Sequence, residues 1–310
     1  MKSFSSNILG AMALTLGMLI FSLQDIAIKW IGGEYPVIEI VIIRSVVALP
    51  CTLLLLRYEG QRGLPPTKQP LRQYMRGFWL FLSYTTYVMG LAALPLADIA
   101  AIRNSAPLII TLLSVVLLGE RVGPRRWIAL MVGFLGVLLI VQPGSASFNL
   151  GSLFALLATL FYAFGVMLTR RLQTTDSSAT MAYYSSLVYL VASCALAPIA
   201  LLIGEQPNAH PSIAFLLRPW VWPTLLDGAI MASLGLVWAG GMYSVARAYS
   251  MAEASAMAPF EYTPLLINLI WGLLLWHEVP TTLTIVGALL TMLSGMYILY
   301  RERKLARLAR

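Results

Sequence analysis

The stretch Ala97–Val122 reads ADIAAIRNSAPLIITLLSVVLLGERV, and a second stretch, Ala252–Val279, reads AEASAMAPFEYTPLLINLIWGLLLWHEV. The two align without a gap from Pro107 and Pro264 onward. Each runs from small residues and an acid, through polar residues and a proline, into an apolar segment that is followed by a Glu and then a Val (Glu-Arg-Val in the first copy, Glu-Val in the second). One copy is typical of a kinked apolar helix. Two copies, about half a chain apart, indicate an internally duplicated membrane protein.

The composition places the chain among polytopic α-helical membrane proteins. Of its 310 residues, 59% are hydrophobic and only 11% are charged, whereas a soluble domain has roughly 25% charged residues. The apolar residues form runs of about 20, which is the length of a membrane-spanning helix. A transmembrane β-barrel would instead alternate polar and apolar residues in segments of roughly 10, so the sequence predicts an all-α protein.

Hydropathy and turn residues together predict ten transmembrane helices. Gly and Pro residues mark most of the linkers between the apolar runs. The expected helices are Ile8–Trp30, Val37–Leu56, Tyr74–Ala93, Leu96–Leu118, Trp127–Gln142, Leu150–Arg170, Thr180–Ile203, Leu225–Tyr249, Ala254–Trp276 and Thr281–Tyr300.

The basic residues predict the orientation of these helices. Of the 21 Lys and Arg, 16 fall at the N-terminus, in alternate loops or in the tail, and the positive-inside rule then makes both termini cytoplasmic. The net charge of +8 is therefore a topology signal and not a sign of nucleic-acid binding. Because five helices per half is an odd number, residues 147–300 must form an inverted copy of residues 1–146, followed by a basic cytoplasmic tail at 301–310.

Four charged residues lie in the first two predicted helices. A charge in the bilayer core costs at least ~2.5 kcal/mol on insertion scales, so it must face protein or water. Asp25 and Lys29 are four residues apart on one helix face, where they can pair as a gate or as an interfacial ion pair. Glu39 lies close to the predicted outer surface, where solvation is a second reading. Arg44 lies deeper and needs a partner, for which Glu39 or Asp25 would serve.

Polar residues beside the two prolines are the strongest candidates for a binding site. Arg103 and Asn104 precede Pro107, and Glu261 and Tyr262 precede Pro264. A proline leaves a backbone carbonyl without its helical donor, which a membrane tolerates where protein or a water-filled cavity supplies a partner. We expect Arg103 and Glu261 to bind opposite charges of a zwitterion. The alternative is a direct Arg103–Glu261 salt bridge that only fastens the two halves.

Aromatic residues in the middle of predicted helices could line the same cavity. A flat or cationic ligand can stack on such rings, although packing is the alternative role for each ring taken singly. The candidates are Tyr84, Tyr87, Tyr162 and Trp238.

The sequence contains no enzyme or cofactor signature. The histidines are His210 and His277, and no metal motif, nucleophile elbow or P-loop is present. The expected partners are a small-molecule substrate and the lipid bilayer, with neither metal nor cofactor. A membrane-embedded enzyme, a lipid-binding protein and a channel are the alternatives from other classes. Gly133/Gly136 and Gly287/Gly295 match small-residue helix packing, so a homodimer is possible.

Motifs over nearly the whole chain resemble the EamA-type branch of the drug/metabolite transporter superfamily. They are QDIAIKW (Gln24–Trp30), Arg44, RGFWLF (Arg76–Phe81), the stretches within Ala93–Val122, GFLGVLLIVQPG (Gly133–Gly144), AYSMAEASAMAPFEYTPLL (Ala248–Leu266) and HEVP (His277–Pro280).

This resemblance implies a secondary carrier of small metabolites in a bacterial cytoplasmic membrane, with a cavity lined by predicted helices 1, 3, 4, 6, 8 and 9. The chain looks most similar to S-adenosylmethionine uptake carriers, while other members of the branch export amino acids or drugs or import riboflavin. It departs from those carriers in one respect. The position matching Glu261 tends to be basic in them, and the position matching Arg103 tends to be uncharged.

Overall fold

The protein is built from helices. The computed structural model describes every residue except 1, 61–62, 64, 119–122, 146–147, 173–174, 207, 252–259, 261 and 309–310. No strand occurs among the described residues, which confirms the all-α class. Their helices are α1 (Lys2–Ile31), α2 (Val37–Tyr58), α3 (Pro70–Leu91), α4 (Leu96–Arg103), α5 (Ala106–Leu118), α6 (Pro124–Val141), α7 (Leu150–Leu172), α8 (Ser178–Ile203), α9 (Pro211–Leu217), α10 (Leu225–Met251), α11 (Thr263–Trp276) and α12 (Thr282–Leu308).

Six segments of the described chain are long and apolar enough to cross a membrane. They are Leu9–Ile31, Val37–Tyr58, Leu96–Val116, Pro124–Val141, Leu150–Thr169 and Ala179–Ile203. Three shorter apolar helical segments follow, at Leu225–Gly241, Thr263–Trp276 and Thr282–Ile298. The chain is therefore a multi-pass membrane protein, while the count of ten spans stays a prediction.

The first predicted kink is a break between two helices. α4 ends at Arg103, Asn104 and Ser105 form a turn, and α5 begins at Ala106. Pro107 has no N–H to donate to the carbonyl of Arg103, so the ladder of hydrogen bonds cannot continue through this point. The Ser105 hydroxyl donates to the carbonyl of Ile102 at 2.6 Å, which partly restores the lost bonding.

The second proline lies at a helix start. Pro264 is in the first turn of α11, where its missing N–H costs nothing because that donor has no partner inside the helix. Of the predicted helix from Ala254 to Trp276, the structure describes α11 from Thr263, and residues 252–259 and 261 lie outside the described chain. In both copies, the proline lies in the first turn of a helix, α5 or α11.

The short helix α9 was missed by the sequence prediction, which placed only a turn-rich linker before it. Pro211 begins the helix, and the ring nitrogen of His210 accepts from the Ser212 N–H at 3.3 Å. Phe215 is 1% exposed because it packs against Gly32 at the end of α1, where a Cβ would meet the ring at 3.0 Å. α9 thus closes one end of the bundle.

The helices of the first half pack mainly on helices of the second half. α1 contacts α10 and α11, α2 contacts α8 and α10, and α3 contacts α7 and α8. α4 packs on α11, α5 on α7, and α6 on α12. The central buried cluster draws on both halves, from Ile28 of α1 to Met231 and Leu234 of α10.

The glycines that suggested a homodimer have packing partners inside one chain. A Cβ on Gly136 would lie 2.6 Å from the carbonyl oxygen of Gly287, so α6 and α12 approach at backbone distance. Gly133 faces Leu108 and Ser294, and Gly295 faces the Tyr262 hydroxyl. The small-residue faces therefore have their partners within the protein, and a dimer interface needs another surface.

Candidate substrate site

A buried carboxylate forms the centre of the candidate site. Asp25 is 4% exposed, and its Oδ2 accepts hydrogen bonds from the Tyr87 hydroxyl and the Asn268 side-chain amide, both at 2.9 Å. Asn268 in turn accepts a hydrogen bond from the Ser22 hydroxyl, about one turn before Asp25. These bonds join α1, α3 and α11 inside the bundle. Oδ1 of Asp25 has no hydrogen-bond partner among the described residues, so it can still accept.

Arg103 places a positive charge beside this carboxylate. Its guanidinium carbon lies 4.9 Å from the ring centroid of Tyr87 and 6.0 Å from that of Tyr162. The charges of Arg103 and Asp25 attract each other. Arg103 is exposed to solvent, and Tyr162 is 37% exposed. Tyr87 therefore carries a cation at its ring and an anion at its hydroxyl, and the cation is open to a ligand.

Aromatic rings surround a second guanidinium, that of Arg44. This side chain is 2% exposed, and its guanidinium carbon lies 3.9 Å from the ring centroid of Tyr84, 5.1 Å from Tyr189 and 5.5 Å from Trp238. Ring faces attract cations electrostatically, and more strongly where water is excluded. Tyr84 and Tyr87 are three residues apart on α3, so one helix presents two tyrosines to two arginines.

Two ion pairs expected from the sequence do not form. Arg44 was expected to pair with Glu39 or Asp25, but no carboxylate among the described residues lies within 4 Å of it. Asp25 was also expected to pair with Lys29, four residues on. Lys29 instead pairs with Glu278, because the end of α11 comes closer to its ammonium than the buried carboxylate does.

The Lys29–Glu278 pair fastens α1 to two other segments. The Lys29 ammonium also donates to the carbonyl of Leu94 at 3.2 Å and lies 5.1 Å from the ring centroid of Trp276. The second oxygen of Glu278 accepts at 2.9 Å from the N–H of Leu96. Leu96 is the first residue of α4. The two side chains are 13% and 20% exposed, so this pair lies at the edge of the buried region.

Glu39 and Tyr35 tie the start of α2 to the segment that enters α10. Glu39 is fully buried, which corrects the expectation that it could be solvated, and its carboxylate accepts from the Val221 N–H at 3.3 Å. The Tyr35 hydroxyl donates to Asp227 at 2.8 Å. That hydrogen bond raises the pKa of the Tyr35 phenol, which keeps the phenol neutral and donating.

The remaining candidates divide between the centre and its edges. Asn104 lies half-buried in the α4–α5 break, and its Nδ2 has no hydrogen-bond partner among the described residues. Tyr262 is 4% exposed and packs against Gly295. Trp238 is half-buried beside the second guanidinium. Glu261 lies outside the described residues.

Sequence reasoning missed three residues of these clusters. Asn268 and Ser22 hold the central carboxylate, and Tyr189 is the second ring over Arg44. Asn268 did have a signal, since it is a side-chain amide in an apolar run and aligns with Thr111 in the repeat. The Thr111 hydroxyl donates to the carbonyl of Pro107, one turn earlier in the same helix, at 2.8 Å.

The sequence matches the EamA-like transporter family over residues 8–142 and 149–300. The chain belongs to the EamA-like transporter family. Among its members, the S-adenosylmethionine uptake transporter of Rickettsia bellii (strain RML369-C) is 28% identical, over 93% of this chain and 92% of that protein.

Other similar members of the EamA-like family are named for different cargoes. The riboflavin transporter of Vibrio cholerae is 27% identical over 96% of this chain and 95% of its own. The pseudopaline exporter of Pseudomonas aeruginosa is 29% identical, over 91% and 92% respectively. One known crystal structure superposes with a TM-score of 0.61 over 96% of this chain and 97% of that chain, at 17% identity, which shows a shared fold. Its membership of this family thus identifies the protein as a transporter of small metabolites.

Proposed function

We propose that this protein is a secondary carrier that moves a small zwitterionic or cationic metabolite across a bacterial cytoplasmic membrane by alternating access. The observation that carries the proposal is the meeting of Asp25 and Arg103 at Tyr87. Opposite charges at the junction of several spans, beside a helix break, can bind both poles of a zwitterion. Residues of this kind inside a membrane usually mark a substrate or ion pathway.

The proposed architecture has ten spans in two inverted five-helix repeats, 1–146 and 147–300, with both termini cytoplasmic. The packing supports it. Count α4 and α5 as one span and α9 as a loop helix, and map each span of the first repeat on the span at the same place in the second. The contact between α1 and α10 then maps on the contact between α7 and α3. Each of the pairs α2–α8, α4–α11 and α6–α12 joins two equivalent spans, so exchanging the repeats leaves the pair unchanged. All of these contacts occur. Such repeats enclose a site near the membrane midplane.

We assign opposite roles to the charged residues of the site. Arg103 binds the carboxylate of the substrate, because a guanidinium can donate two parallel hydrogen bonds to it. Asp25 and Glu261 attract the ammonium or sulfonium group. Tyr87 and Tyr162, with Tyr84 and Trp238 nearby, pack against the rest of the substrate.

S-adenosylmethionine is the first compound to test, since it carries a carboxylate, an ammonium and a sulfonium, and similar members of the family are named for it. Amino acids and riboflavin are the next candidates. Purified protein is reconstituted in liposomes, and uptake and release of each labelled compound are measured. Saturable movement of one of them is the expected result, and movement of none would refute the carrier proposal.

The site assignment is tested in the same liposomes. Arg103→Ala and Glu261→Ala should each abolish transport while the protein remains monodisperse, because each removes a charge that the substrate binds. Arg72→Gln is the matched control, since Arg72 is exposed and bonds Gln69 on the surface. Normal transport by both alanine variants would contradict the assignment.

A further inference from the structure

A cavity of about 200 Å³ opens beside the Lys29–Glu278 pair. It lies at the end of the bundle where α1 and α3 end and α9 packs. Its lining includes Lys29, Arg218, Trp276, Phe215, Gly32 and Gly33. The central cluster around Asp25 is a separate place, one turn further into the membrane along α1.

The lining of this cavity favours an anionic group. Two cations, Lys29 and Arg218, face it, and no acidic residue is present among the lining residues that the structure describes. Arg218 is held in place by its hydrogen bond to the carbonyl of Gly32, which uses only one of its five donors. The rings of Trp276 and Phe215 provide an apolar wall next to these charges.

Glu278 links this cavity to the candidate substrate site. One of its oxygens accepts from Lys29, and the other accepts from the N–H of Leu96, the first residue of α4. Arg103 is the last residue of the same helix, about 10 Å away at the helical rise of roughly 1.5 Å per residue. A change at Glu278 therefore acts directly on the helix that positions Arg103.

We propose that this cavity is an entry site for the carboxylate of the transported substrate, and that the bound carboxylate takes Lys29 from Glu278. The proposal rests on the proposed function, because it assigns a first binding site and a gate to the same zwitterion. Once Lys29 is bound to the substrate, Glu278 no longer ties α1 to the start of α4. The hydrogen bond from Lys29 to the Leu94 carbonyl can persist, but α4 and Arg103 lose the tie through Glu278 and move more easily toward the incoming substrate.

Exchange of partners makes this step easy for a carboxylate and hard for other ligands. A carboxylate replaces Glu278 at Lys29, so the ammonium keeps an anionic partner throughout, and the displaced Glu278 carboxylate keeps the hydrogen bond from the Leu96 N–H and is attracted by the positive group of the same zwitterion. A ligand without a carboxylate has to separate a largely buried pair and leave the ammonium without an anion, which is strongly unfavourable. The ion pair therefore acts as a filter that opens for carboxylated substrates.

The test compares S-adenosylmethionine with its decarboxylated analogue in proteoliposomes. Wild type should transport the carboxylated compound with the lower KM. Glu278→Gln weakens the lock on Lys29, so uptake of the decarboxylated compound should rise and the preference should fall to within about twofold. Glu34→Gln, an exposed acid at the same end, should leave the preference unchanged.

Arg218→Gln tests the second cation of the entry site. It should raise the KM for S-adenosylmethionine by about fivefold, which is the loss expected for one charged contact near the surface. The kcat for S-adenosylmethionine and the KM for the decarboxylated compound should stay unchanged. Arg72→Gln is the control for loss of a cation elsewhere. If Glu278→Gln does not yield monodisperse protein, Glu278→Asp keeps the charge with a shorter reach and should give an intermediate preference.

The outcomes separate the two proposals. If wild type transports S-adenosylmethionine but Glu278→Gln and Arg218→Gln change both compounds equally, the cavity has only a structural role and the entry site is refuted. The same holds if neither variant changes either compound. If wild type transports neither compound, S-adenosylmethionine fails as the substrate, and the entry site for its carboxylate fails with it, while the carrier proposal is decided by the wider set of labelled compounds.

Discussion

The two ends of the helix bundle are fastened by different chemistry. At the end of α1, which we name the Lys29 end, an ammonium and a carboxylate form an ion pair. At the opposite end, which we name the Asp176 end, the carboxylate of Asp176 accepts from the Thr67 hydroxyl at 2.6 Å and from the Gln73 side-chain amide. Both fastenings join the first half of the chain to the second, but only one contains a cation.

A cation is present at the Asp176 end but bonds other groups. Arg76 is 6% exposed, and its guanidinium donates to Thr169 at 2.6 Å, to Ser185 at 2.7 Å and to the Met181 carbonyl at 3.0 Å. No acid lies within 4 Å of Arg76 among the described residues. Its bonds hold α3 to α7 and α8.

This difference shows at which end an anionic ligand can break the contacts between the two halves. An ion pair can exchange one anion for another, so a carboxylate in solution competes directly with Glu278. The Asp176 carboxylate is held by neutral donors, so an anionic ligand has no paired cation there to take from it. We therefore expect the Lys29 end to respond to charge and salt, and the Asp176 end to respond mainly to loss of packing and hydrogen bonds.

Charge reversal at Lys29 should have the largest effect. Lys29→Glu places two carboxylates together at a site that is four-fifths or more buried, so we expect transport to fall at least tenfold and stability to fall by about 2 kcal/mol. Proteoliposome uptake and thermal unfolding of the purified protein measure these losses.

The control for that prediction is the double variant Lys29→Glu/Glu278→Lys. It restores the ion pair in reverse, so much of the stability should return. It cannot restore the bond to the Leu96 N–H, because a lysine has no acceptor, and transport should return only in part. A double variant no better than Lys29→Glu would show that the ion pair is not what fastens this end.

Loss of the carboxylate at the other end should have a smaller effect. Asp176→Ala leaves the Thr67 and Gln73 donors without their acceptor, and Gln73 is fully buried, so we expect a loss of roughly 1 kcal/mol in stability with the substrate preference unchanged. Asp176→Asn keeps an acceptor oxygen and should lose less than half as much. An equal loss in both variants would mean that the charge of Asp176, and not its hydrogen bonds, holds this end.

The two ends also show how far the sequence could predict the site. Hydropathy predicted an all-helical membrane protein, and proline predicted a kink before Pro107, because these depend on local chain chemistry. The partner of Lys29 could not be predicted, since Glu278 is 249 residues away and only tertiary packing brings it near. The spacing of Asp25 and Lys29 allowed a local pair, which the contacts of α11 replace.

The second guanidinium shows a different limit. Reasoning from charge alone required an acid near Arg44, because an isolated buried charge is very costly. The structure instead places three aromatic rings around it, and two of these belong to α8 and α10 in the second half. Which rings meet a given cation depends on how the helices of the two halves cross, and residue spacing within one helix does not contain that information.

The smallest expected effect is the response to salt, which compares the two ends most directly. Ionic screening shortens from about 10 Å at 0.1 M to about 3 Å at 1 M, and the side chains of Lys29 and Glu278 are partly exposed to it. A double-mutant cycle of Lys29→Gln and Glu278→Gln, measured by unfolding at both salt concentrations, should show a coupling energy that falls by about 0.5 kcal/mol at the higher salt. The cycle of Thr67→Val and Asp176→Asn should show no such fall, because the Thr67 hydroxyl carries no net charge to be screened. A coupling that falls equally in both cycles would mean that salt acts on the whole bundle, and the proposed difference between the ends would then be refuted.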